Sequence, residues 1–366
     1  MNTHDYFSIT FSCTKKTWEQ ESIVNAMLED LLFGQTFRIY RDKEVSIPLT
    51  SLSYSSHLEQ CKEKHERIFF NVRVPQYQFS DKSLSSVVTQ LWGNILDYPG
   101  FKLELLPQNL VSHLAYANKH KINAILSEKQ GPFFTTVLKP SWKLTLKEKV
   151  EMTEEFVANG GDFVKEDETY YAPLKKILEE YKTIQIAINK IDTSQRGLGI
   201  YVPHLTHLVS NPSALQELKY NGLRAGMISF MIAGFDSVRA ISNEICNDWL
   251  LWGHRVGYQS MSQSMSMQVV VQLAVIAGLD IIHVGTPTLE NLNSIDSSCA
   301  IIQTLRCTNL TLQRETFPVF SKTTAEILPE LFLRYGDKSI FLACGELRQP
   351  RDDAFKFERR KNGLRI

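Results

Sequence analysis

One nine-residue stretch of the chain, residues 160–168 (GGDFVKEDE), places four ionisable side chains directly after a short apolar run. Side chains alternate along an extended strand, so Lys165 and Asp167 are expected to point the same way, with Glu168 displaced where the strand gives way to its loop. A lysine held beside two carboxylates is either part of a plain ion pair or a lysine carbamylated by CO2. As a carbamate it would complete a set of three anionic oxygen donors, which suits Mg²⁺ with room left for water and substrate.

Other polar side chains also stand at the ends of apolar runs. In chain order they are Lys139, His204, His254, Arg255, His283 and Ser321, and the last run ends at Gly345. The interior of a parallel barrel is filled with branched hydrocarbon side chains, and its active site lies at the carboxyl ends of the strands. If these runs are the strands of such a barrel, their ionisable ends converge on one water-accessible mouth.

From residue 133 onward the chain alternates between strand-like and helix-like segments, which predicts parallel pairing. The clearest helices cover 145–159 and 264–278. Strands are predicted at 133–139, 162–168, 199–205, 226–233, 249–255, 280–286, 317–321 and 339–345. Eight βα units over about 220 residues have the size of a (β/α)8 TIM barrel, which is assigned to residues 131–366. An open doubly wound sheet is the competing architecture.

The N-terminal third has a different pattern and is predicted to form a small ferredoxin-like α+β domain over residues 1–125. Its predicted helices cover 18–32 and 82–92. Its predicted strands cover 5–13, 37–41, 67–73 and 101–106. The polar segment at 107–130 is the expected boundary between the two units, so the fold class is α/β with a small α+β domain in front.

Composition narrows the function classes. The 366 residues are 43% hydrophobic and 22% charged, and 40 basic side chains balance 40 acidic ones, which disfavours nucleic acid or an anionic membrane as the main partner. The start of the chain lacks a basic segment followed by an apolar run, and no stretch approaches the roughly 20 apolar residues of a membrane helix. Six scattered cysteines without a CxxC pair fit a reducing compartment, and a cytoplasmic location is predicted.

Several of these segments together resemble the RuBisCO large-subunit superfamily. The stretch at 160–168 is similar to the one in which that family binds Mg²⁺ through a carbamylated lysine, an aspartate and a glutamate. The other matching segments follow in the family's order between about 131 and 347, and they read TTVLKP, WLLWGHRVG, DIIHVGT, FPVFS and YGDKSIFLACGEL. Each segment alone is weak evidence, but five in register are strong evidence.

The resemblance implies roles for individual residues. Lys165, Asp167 and Glu168 would bind Mg²⁺, with CO2 present as the carbamate on Lys165. Lys139 would act in enolisation. The residues implied at the substrate are His254, Arg255, His283, Ser321, Lys322 and Gly345. For Arg255 and His283 the alternative is a salt bridge at the barrel rim, and for His254 it is a capping role at the strand end. His204 has no counterpart in the family pattern and is expected to be packed or exposed to solvent.

The small domain contributes one further candidate. The segment QLWGN at 90–94 resembles a Gly-Asn at the end of a family helix, whose asparagine reaches into the active site of the partner subunit. Asn94 is therefore a substrate-binding candidate, and a homodimer or a multiple of dimers is implied. A helix C-cap is the alternative for Asn94.

The chain departs from the carboxylase pattern at positions that matter for CO2. The loop after the sixth barrel strand, 286–298, contains no lysine or arginine but includes Glu290 and Asp296. Ser141 replaces the second lysine that follows the first strand. No glutamate-bearing loop of the small domain resembles that of the carboxylase. The glycines that would offer N–H groups to a substrate phosphate are disrupted too, since Lys322 follows Ser321.

These observations predict a RuBisCO-like protein that enolises a small anionic, sugar-like ketose or keto acid, phosphorylated or not. Isomerisation, tautomerisation or decarboxylation would follow in place of CO2 fixation. Lys322 is expected to serve as a point charge for an anionic end of the substrate. The alternative hypothesis is a degenerate barrel with a binding or regulatory role and no turnover. The departures from the carboxylase pattern disfavour a third hypothesis, that the chain is a genuine ribulose-bisphosphate carboxylase.

Overall fold

A computed structural model describes residues 6–33, 58–64, 66–93, 98–115, 124–192, 197–245, 249–285, 292–324 and 327–343. Asn94, Gly345 and residues 286–291 of the loop after the sixth barrel strand lie outside these ranges. None of the helices in the described ranges combines the length and apolar character that a membrane span requires. The cytoplasmic location stays a prediction, as does the domain boundary near residues 125–131.

The N-terminal part forms a four-stranded antiparallel sheet with the order β2-β3-β1-β4. The strands are β1 (Tyr6–Thr14), β2 (Leu58–Lys64), β3 (Arg67–Pro75) and β4 (Lys102–Leu105). This order, with helices after β1 and β3, is that of a ferredoxin-like fold, as predicted. The predicted strand at 37–41 lies outside the described residues. Strand β2 was not predicted, because its sequence LEQCKEK lacks an apolar alternation.

Helices follow β1, β3 and β4 in this part of the chain and lead into the barrel. They are α1 (Lys15–Trp18), α2 (Glu21–Phe33), α3 (Leu84–Val88), α4 (Gln108–Leu114) and α5 (Ala124–Ser127). The predicted helix at 82–92 is α3 followed by a π-helical turn at Thr89–Gly93. The Asp236 carboxylate from the barrel accepts hydrogen bonds from the Ser83 hydroxyl and from the Leu84 and Ser85 N–H groups, and so ties the start of α3 to the barrel.

The rest of the described chain forms an eight-stranded sheet in which every pairing is parallel, with the order β7-β6-β5-β12-β11-β10-β9-β8. Its strands are β5 (Phe133–Leu138), β6 (Phe163–Glu166), β7 (Ile200–Val202), β8 (Ala225–Ser229), β9 (Leu250–His254), β10 (Ile281–Gly285), β11 (Phe317–Thr323) and β12 (Ile340–Ala343). All eight correspond to predicted strands. The segment predicted as a strand over 226–233 turns into a helix after Ser229.

Backbone hydrogen bonds between the chain after β7 and strand β8 close the sheet into a barrel. The Met227 N–H donates to the Pro203 carbonyl at 2.9 Å, and the Leu205 N–H donates to the Met227 carbonyl at 2.8 Å. His204, between these two residues, forms an isolated parallel bridge with Met227. The predicted barrel is therefore confirmed over the open doubly wound sheet, whose two edge strands would stay unpaired.

Helices surround this barrel, as parallel pairing requires. They are α6 (Leu146–Ala158), α7 (Leu174–Asn189), α8 (Pro212–Tyr220), α9 (Phe230–Ala233), α10 (Phe235–Ile245), α11 (Tyr258–Met261), α12 (Met267–Ala277), α13 (Leu292–Leu312) and α14 (Leu328–Tyr335). A capping box between Thr145 and Glu148 starts α6. Helix α12 is buried along almost its whole length, and its Gln272 side chain hydrogen-bonds both backbone groups of Leu106 in the small domain.

Aromatic side chains fill the lower part of the barrel interior. Phe163 lies with its ring centroid 5.9 Å from that of Phe133 and 5.5 Å from that of Trp252, and Phe133 also contacts Phe317 at 5.8 Å. These rings exclude water from the amino-terminal end of the strands. Lys165 comes two residues after Phe163 on β6, so its side chain enters the barrel one layer nearer the mouth.

A buried carboxylate joins three segments at the amino-terminal end of β6. Asp162 is fully buried and accepts hydrogen bonds from the Phe134 and Leu198 N–H groups, each at 3.0 Å. Its third partner is the Lys129 ammonium, whose Nζ lies 2.6 Å from Oδ2. This ion pair fixes the end of β6 that is remote from the barrel mouth.

Candidate active site

The described candidate residues all lie toward the carboxyl ends of the barrel strands. Lys139 directly follows β5, Asp167 and Glu168 follow β6, and Arg255 follows β9. Inside or at the end of strands are Lys165 on β6, His254 on β9, His283 on β10, and Ser321 and Lys322 on β11. Parallel pairing brings these positions to the same end of the barrel, as the sequence predicted.

Two carboxylates converge on the ammonium group of Lys139. Its Nζ lies 3.1 Å from Asp167 Oδ2 and 3.8 Å from Glu168 Oε1. The Lys139 side chain is 45% exposed, whereas that of Asp167 is 9% exposed. The Lys139 side chain therefore extends from the rim of the barrel to the two carboxylates. Its positive charge lies where these carboxylates would stabilise a bound cation.

Local hydrogen bonds fix the orientation of Asp167. Its Oδ1 accepts from the N–H and the hydroxyl of Thr169, both at 3.0 Å, which leaves Oδ2 for a cation. The Asp167 N–H donates to Ser141 Oγ at 3.2 Å. Burial raises the pKa of Asp167, but the hydrogen bonds from Thr169 and Lys139 outweigh it and leave the pKa below its usual value. The Asp167 side chain is thus ionised and points toward the open end of the barrel.

The amine of Lys165 is buried and belongs to none of the ion pairs among the described residues. The residue is 2% exposed, and Nζ lies 3.3 Å from the Glu166 carbonyl oxygen and 3.8 Å from Met227 Sδ. Burial lowers the pKa of Lys165 to about 8, with Glu168 opposing the shift and Lys139 adding to it. Lys139, and not Lys165, is the partner of Asp167. A pKa of about 8 leaves a minor fraction of Lys165 as the neutral amine near neutral pH.

The residues at this end of the barrel fit a carbamate-supported Mg²⁺ site. Within the described ranges, histidine, cysteine and carboxylate side chains alone form no group of three that could hold a metal ion. Asp167 and Glu168 supply two oxygen donors, and a carbamate on Lys165 would supply the third. Only a neutral amine reacts with CO2, and the lowered pKa of Lys165 provides one.

Two histidines lie beside this group with their rings in contact, and His254 Nε2 is 3.7 Å from Glu168 Oε2. The centroids of His254 and His283 are 4.8 Å apart, and His283 Nδ1 lies 3.2 Å from Ser321 Oγ. Burial and nearby cations lower the pKa of His254 to about 3 and that of His283 well below its usual value, so both rings are neutral. His254 Nδ1 and His283 Nε2 are buried without hydrogen-bond partners in the described part of the chain, so they are available to a substrate.

Arg255 is half-buried beside strand β10. A Cβ atom at Gly285, which has φ +131°, would lie 3.4 Å from Arg255 Nη2, so the guanidinium packs directly over this glycine. The guanidinium carbon also lies 5.4 Å from the centroid of the Tyr258 ring. None of the ion pairs among the described residues includes Arg255. The expected alternative, a rim salt bridge, is therefore not seen within those ranges.

Lys322 lies on a local irregularity of β11. The register with β12 shifts between Phe320 and Thr323, and Lys322 has a positive φ of 52°. The side chain is exposed, while Thr323 is buried again. This bulge turns Lys322 outward at the level of Ser321, where a cation would be needed to meet an anionic end of a substrate.

His204 is buried in the barrel wall and not exposed to solvent. Its Nε2 lies 2.7 Å from Thr206 Oγ1 and 3.1 Å from Ser229 Oγ, and Tyr171 packs against the ring edge-on at 5.1 Å. Burial lowers the pKa of His204 to about 4. These contacts join the segment after β7 to β8, so packing, one of its two expected fates, is the one observed.

Thr169 and Ser141 were missed by the sequence analysis as site residues. The Asp-x-Thr spacing of residues 167–169 is a turn pattern in which an aspartate accepts hydrogen bonds two residues ahead, so Thr169 was detectable. Ser141 was noted only as the loss of a lysine. Its hydroxyl, which also donates to the Leu138 carbonyl, instead anchors Asp167 across the β5–β6 pair. No sequence pattern indicates that contact.

The fold and the residues at the barrel mouth together define a class of protein. It is an α/β-barrel protein with a ferredoxin-like domain in front and a lysine–carboxylate cluster at the carboxyl ends of its strands. Residues 119–340 match the family described as ribulose bisphosphate carboxylase large chain, catalytic domain. The matched residues make up more than half of the chain. The protein therefore belongs to the RuBisCO large-chain family.

Individual relatives are distant. The ribulose bisphosphate carboxylase of Thermococcus kodakarensis is 25% identical over 230 residues, which are 59% of this chain and 52% of that protein. The chain thus spans about half the length of the first curated relatives it matches. Among solved structures, octameric Rubisco from Pyrococcus horikoshii OT3 has a TM-score of 0.76 at 17% identity, covering 94% of this chain and 85% of that one. A rubisco-like protein (MtnW) from Alicyclobacillus acidocaldarius has a TM-score of 0.69 at 19% identity, covering 93% and 88%.

Proposed function

We propose that this chain is a RuBisCO-like protein that catalyses Mg²⁺-dependent enolisation of a small anionic, sugar-like ketose or keto acid. The observation that carries the proposal is the convergence of Asp167 and Glu168 on one cationic group beside the unpaired, buried amine of Lys165. Isomerisation, tautomerisation or decarboxylation would complete the reaction. Similarity to both carboxylases and a rubisco-like protein supports membership of the family. It does not distinguish carboxylation from the other reactions, so the proposed reaction rests on the chemistry of the site.

Mg²⁺ held by Asp167, Glu168 and carbamylated Lys165 would supply Lewis acidity toward a substrate carbonyl. The protein's own part is proton transfer and orientation. In its neutral form, released from the two carboxylates, Lys139 would take a proton from the carbon next to the carbonyl, leaving an enediolate. It would return that proton to the former carbonyl carbon, and the adjacent hydroxyl proton would pass to the former carbonyl oxygen, to complete an isomerisation. His254, being neutral, would donate or accept a hydrogen bond at a substrate oxygen and not compete with a cation.

The opposite side of the mouth suits an anionic group on the substrate. Arg255 and Lys322 carry charges that no ion pair among the described residues neutralises, and an arginine matches a phosphate or carboxylate bidentately. His283 and Ser321, already hydrogen-bonded to each other, would meet a substrate hydroxyl. Gly345, which lies outside the described residues, stays a substrate-binding candidate by resemblance.

Carbon-bound deuterium exchange tests the proposal. The protein, preincubated with bicarbonate and Mg²⁺, is mixed in D2O with a panel of ketose phosphates that includes ribulose bisphosphate, and each compound is followed by proton NMR. We expect deuterium to enter the carbon next to the carbonyl of at least one compound, and chelation of Mg²⁺ to stop it. Absence of exchange across ketoses and keto acids alike, with Mg²⁺ bound, would favour the binding or regulatory alternative.

We also propose a homodimer or a multiple of dimers in which the small domain of one chain covers the barrel mouth of the other. Three loops and helix α9 expose large apolar side chains at the mouth: Trp142, Tyr171, Val256 and, on the helix, Ile232. Covering them removes apolar surface from water, and Asn94 would then face the partner's substrate. Light scattering at micromolar concentration should give at least twice the chain mass of 41.9 kDa; a monomer would contradict this arrangement.

A further inference from the structure

A buried polar cluster lies on the outer side of the barrel wall, behind the candidate metal ligands. Lys149 on α6 is 1% exposed, and its Nζ lies 2.7 Å from Glu166 Oε1 on β6 and 3.2 Å from Glu180 Oε1 on α7. Both carboxylates are themselves buried. One ammonium group thus joins a barrel strand to two surrounding helices.

Two tyrosines complete this group. The Tyr170 hydroxyl donates to Glu180 Oε1 at 2.7 Å, and the Tyr201 hydroxyl donates to Glu166 Oε1 at 2.8 Å. Lys149 Nζ also lies 3.8 Å from the centroid of the Tyr170 ring. Burial, followed by the nearby carboxylates, raises the pKa of both tyrosines, so they remain hydroxyl donors. The outer-wall cluster is defined here as Lys149, Glu166, Glu180, Tyr170 and Tyr201.

The outer-wall cluster holds the chain within the stretch of candidate ligands and directly after it. Glu166 lies between Lys165 and Asp167, and it points outward because neighbouring side chains on a strand face opposite ways. Tyr170 comes two residues after Glu168, where the strand has given way to its loop. The backbone that carries the three ligands is therefore attached at its start through Lys149 and at its end through Glu180.

Stability alone is a poor explanation of this arrangement. Removing an ammonium and two carboxylates from water is costly, and apolar side chains of the same size often stabilise a protein at least as well. Glu166 Oε2 and Glu180 Oε2 are buried without hydrogen-bond partners among the described residues, which adds to that cost. Hydrogen bonds and ion pairs are directional, however, so they restrict the position of a strand end more tightly than apolar packing does.

We infer that the outer-wall cluster is a positioning device that holds the segment 165–168 so that Lys165, Asp167 and Glu168 converge on one cation. The inference rests on the proposed metal site. Lys149, Glu180 and Tyr170 are its positioning residues and touch neither substrate nor metal. Groups that orient metal ligands from behind typically contribute about 10- to 100-fold to metal affinity.

Metal affinity of matched variants tests the inference. Mn²⁺, which is visible by electron paramagnetic resonance, is titrated into the full chain with bicarbonate present, and thermal unfolding is recorded for each variant without metal. We expect Lys149→Met to weaken Mn²⁺ binding by about tenfold or more. Tyr170→Phe, which removes only one hydroxyl, should weaken Mn²⁺ binding by a smaller factor with little change in unfolding temperature.

Lys129→Met is the matched control, because it breaks another ion pair between a lysine and a buried carboxylate, at the opposite end of β6. It should lower the unfolding temperature but leave Mn²⁺ affinity unchanged. Equal weakening in Lys129→Met and Lys149→Met would overturn the inference, as would wild-type affinity in both Lys149→Met and Tyr170→Phe. If Lys149→Met does not fold, Tyr170→Phe decides. A wild-type chain that binds no Mn²⁺ overturns the proposed metal site itself, which is a different result from variants that bind equally well.

Discussion

Replacement of Lys139 by alanine is expected to lower the rate of carbon-bound deuterium exchange by about 10²- to 10⁴-fold, the usual contribution of a positioned acid–base group. Lys139 is the one described lysine that lies at the barrel mouth in contact with both Asp167 and Glu168. The compound that exchanges fastest with the wild-type protein is used, and exchange is followed by proton NMR with saturating Mg²⁺ and bicarbonate.

The same variant separates loss of proton transfer from loss of the site. Lys139→Ala removes a positive charge from two carboxylates, so Mn²⁺ affinity should be retained or increased. Lys143→Ala is the matched control, since Lys143 is an exposed lysine of the same loop that lies over the Trp142 ring at 4.8 Å. Exchange that persists at the wild-type rate in Lys139→Ala would remove this lysine from the mechanism.

Ribulose bisphosphate is expected to give little or no CO2 fixation, at a rate about two to three powers of ten below that of deuterium exchange. A carboxylate that develops during fixation needs a preorganised cation, and the absence of such a group costs roughly 3–4 kcal/mol. Residues 286–298, which follow the sixth barrel strand, contain no lysine or arginine, and Glu290 and Asp296 have the opposite charge. Fixation of radiolabelled CO2 and deuterium exchange are measured on the same preparation.

Lys322 is the described cation that could replace the missing one. It is exposed on the β11 bulge next to Ser321. Lys322→Ala should weaken binding of an anionic substrate and leave the ratio of fixation to exchange unchanged. Fixation at a rate comparable to exchange would contradict the proposed reaction, and if it vanished in Lys322→Ala it would assign the cationic role to that lysine.

The sequence by itself determined the class of fold and the order of the site along the chain. Short apolar runs separated by helical segments predicted the barrel strands, because a run of this kind is a local property of each segment. The lysine–carboxylate stretch at 160–168 and the positions of His254, His283 and Ser321 could be assigned to strand ends for the same reason. Strand β2 escaped detection because its sequence is charged.

Only the tertiary structure decided which groups meet. Asp167 pairs with Lys139, a partner 28 residues away on the neighbouring strand, and Lys165, its neighbour in sequence, is left as an unpaired amine. Lys149 and Thr153 lie on the buried face of α6, and the contact of Lys149 with Glu166 depends on how α6 packs against β6. Contacts of this kind depend on strand register and helix packing. Local sequence periodicity shows which face of an element a side chain lies on, but it contains no information about the element that lies opposite.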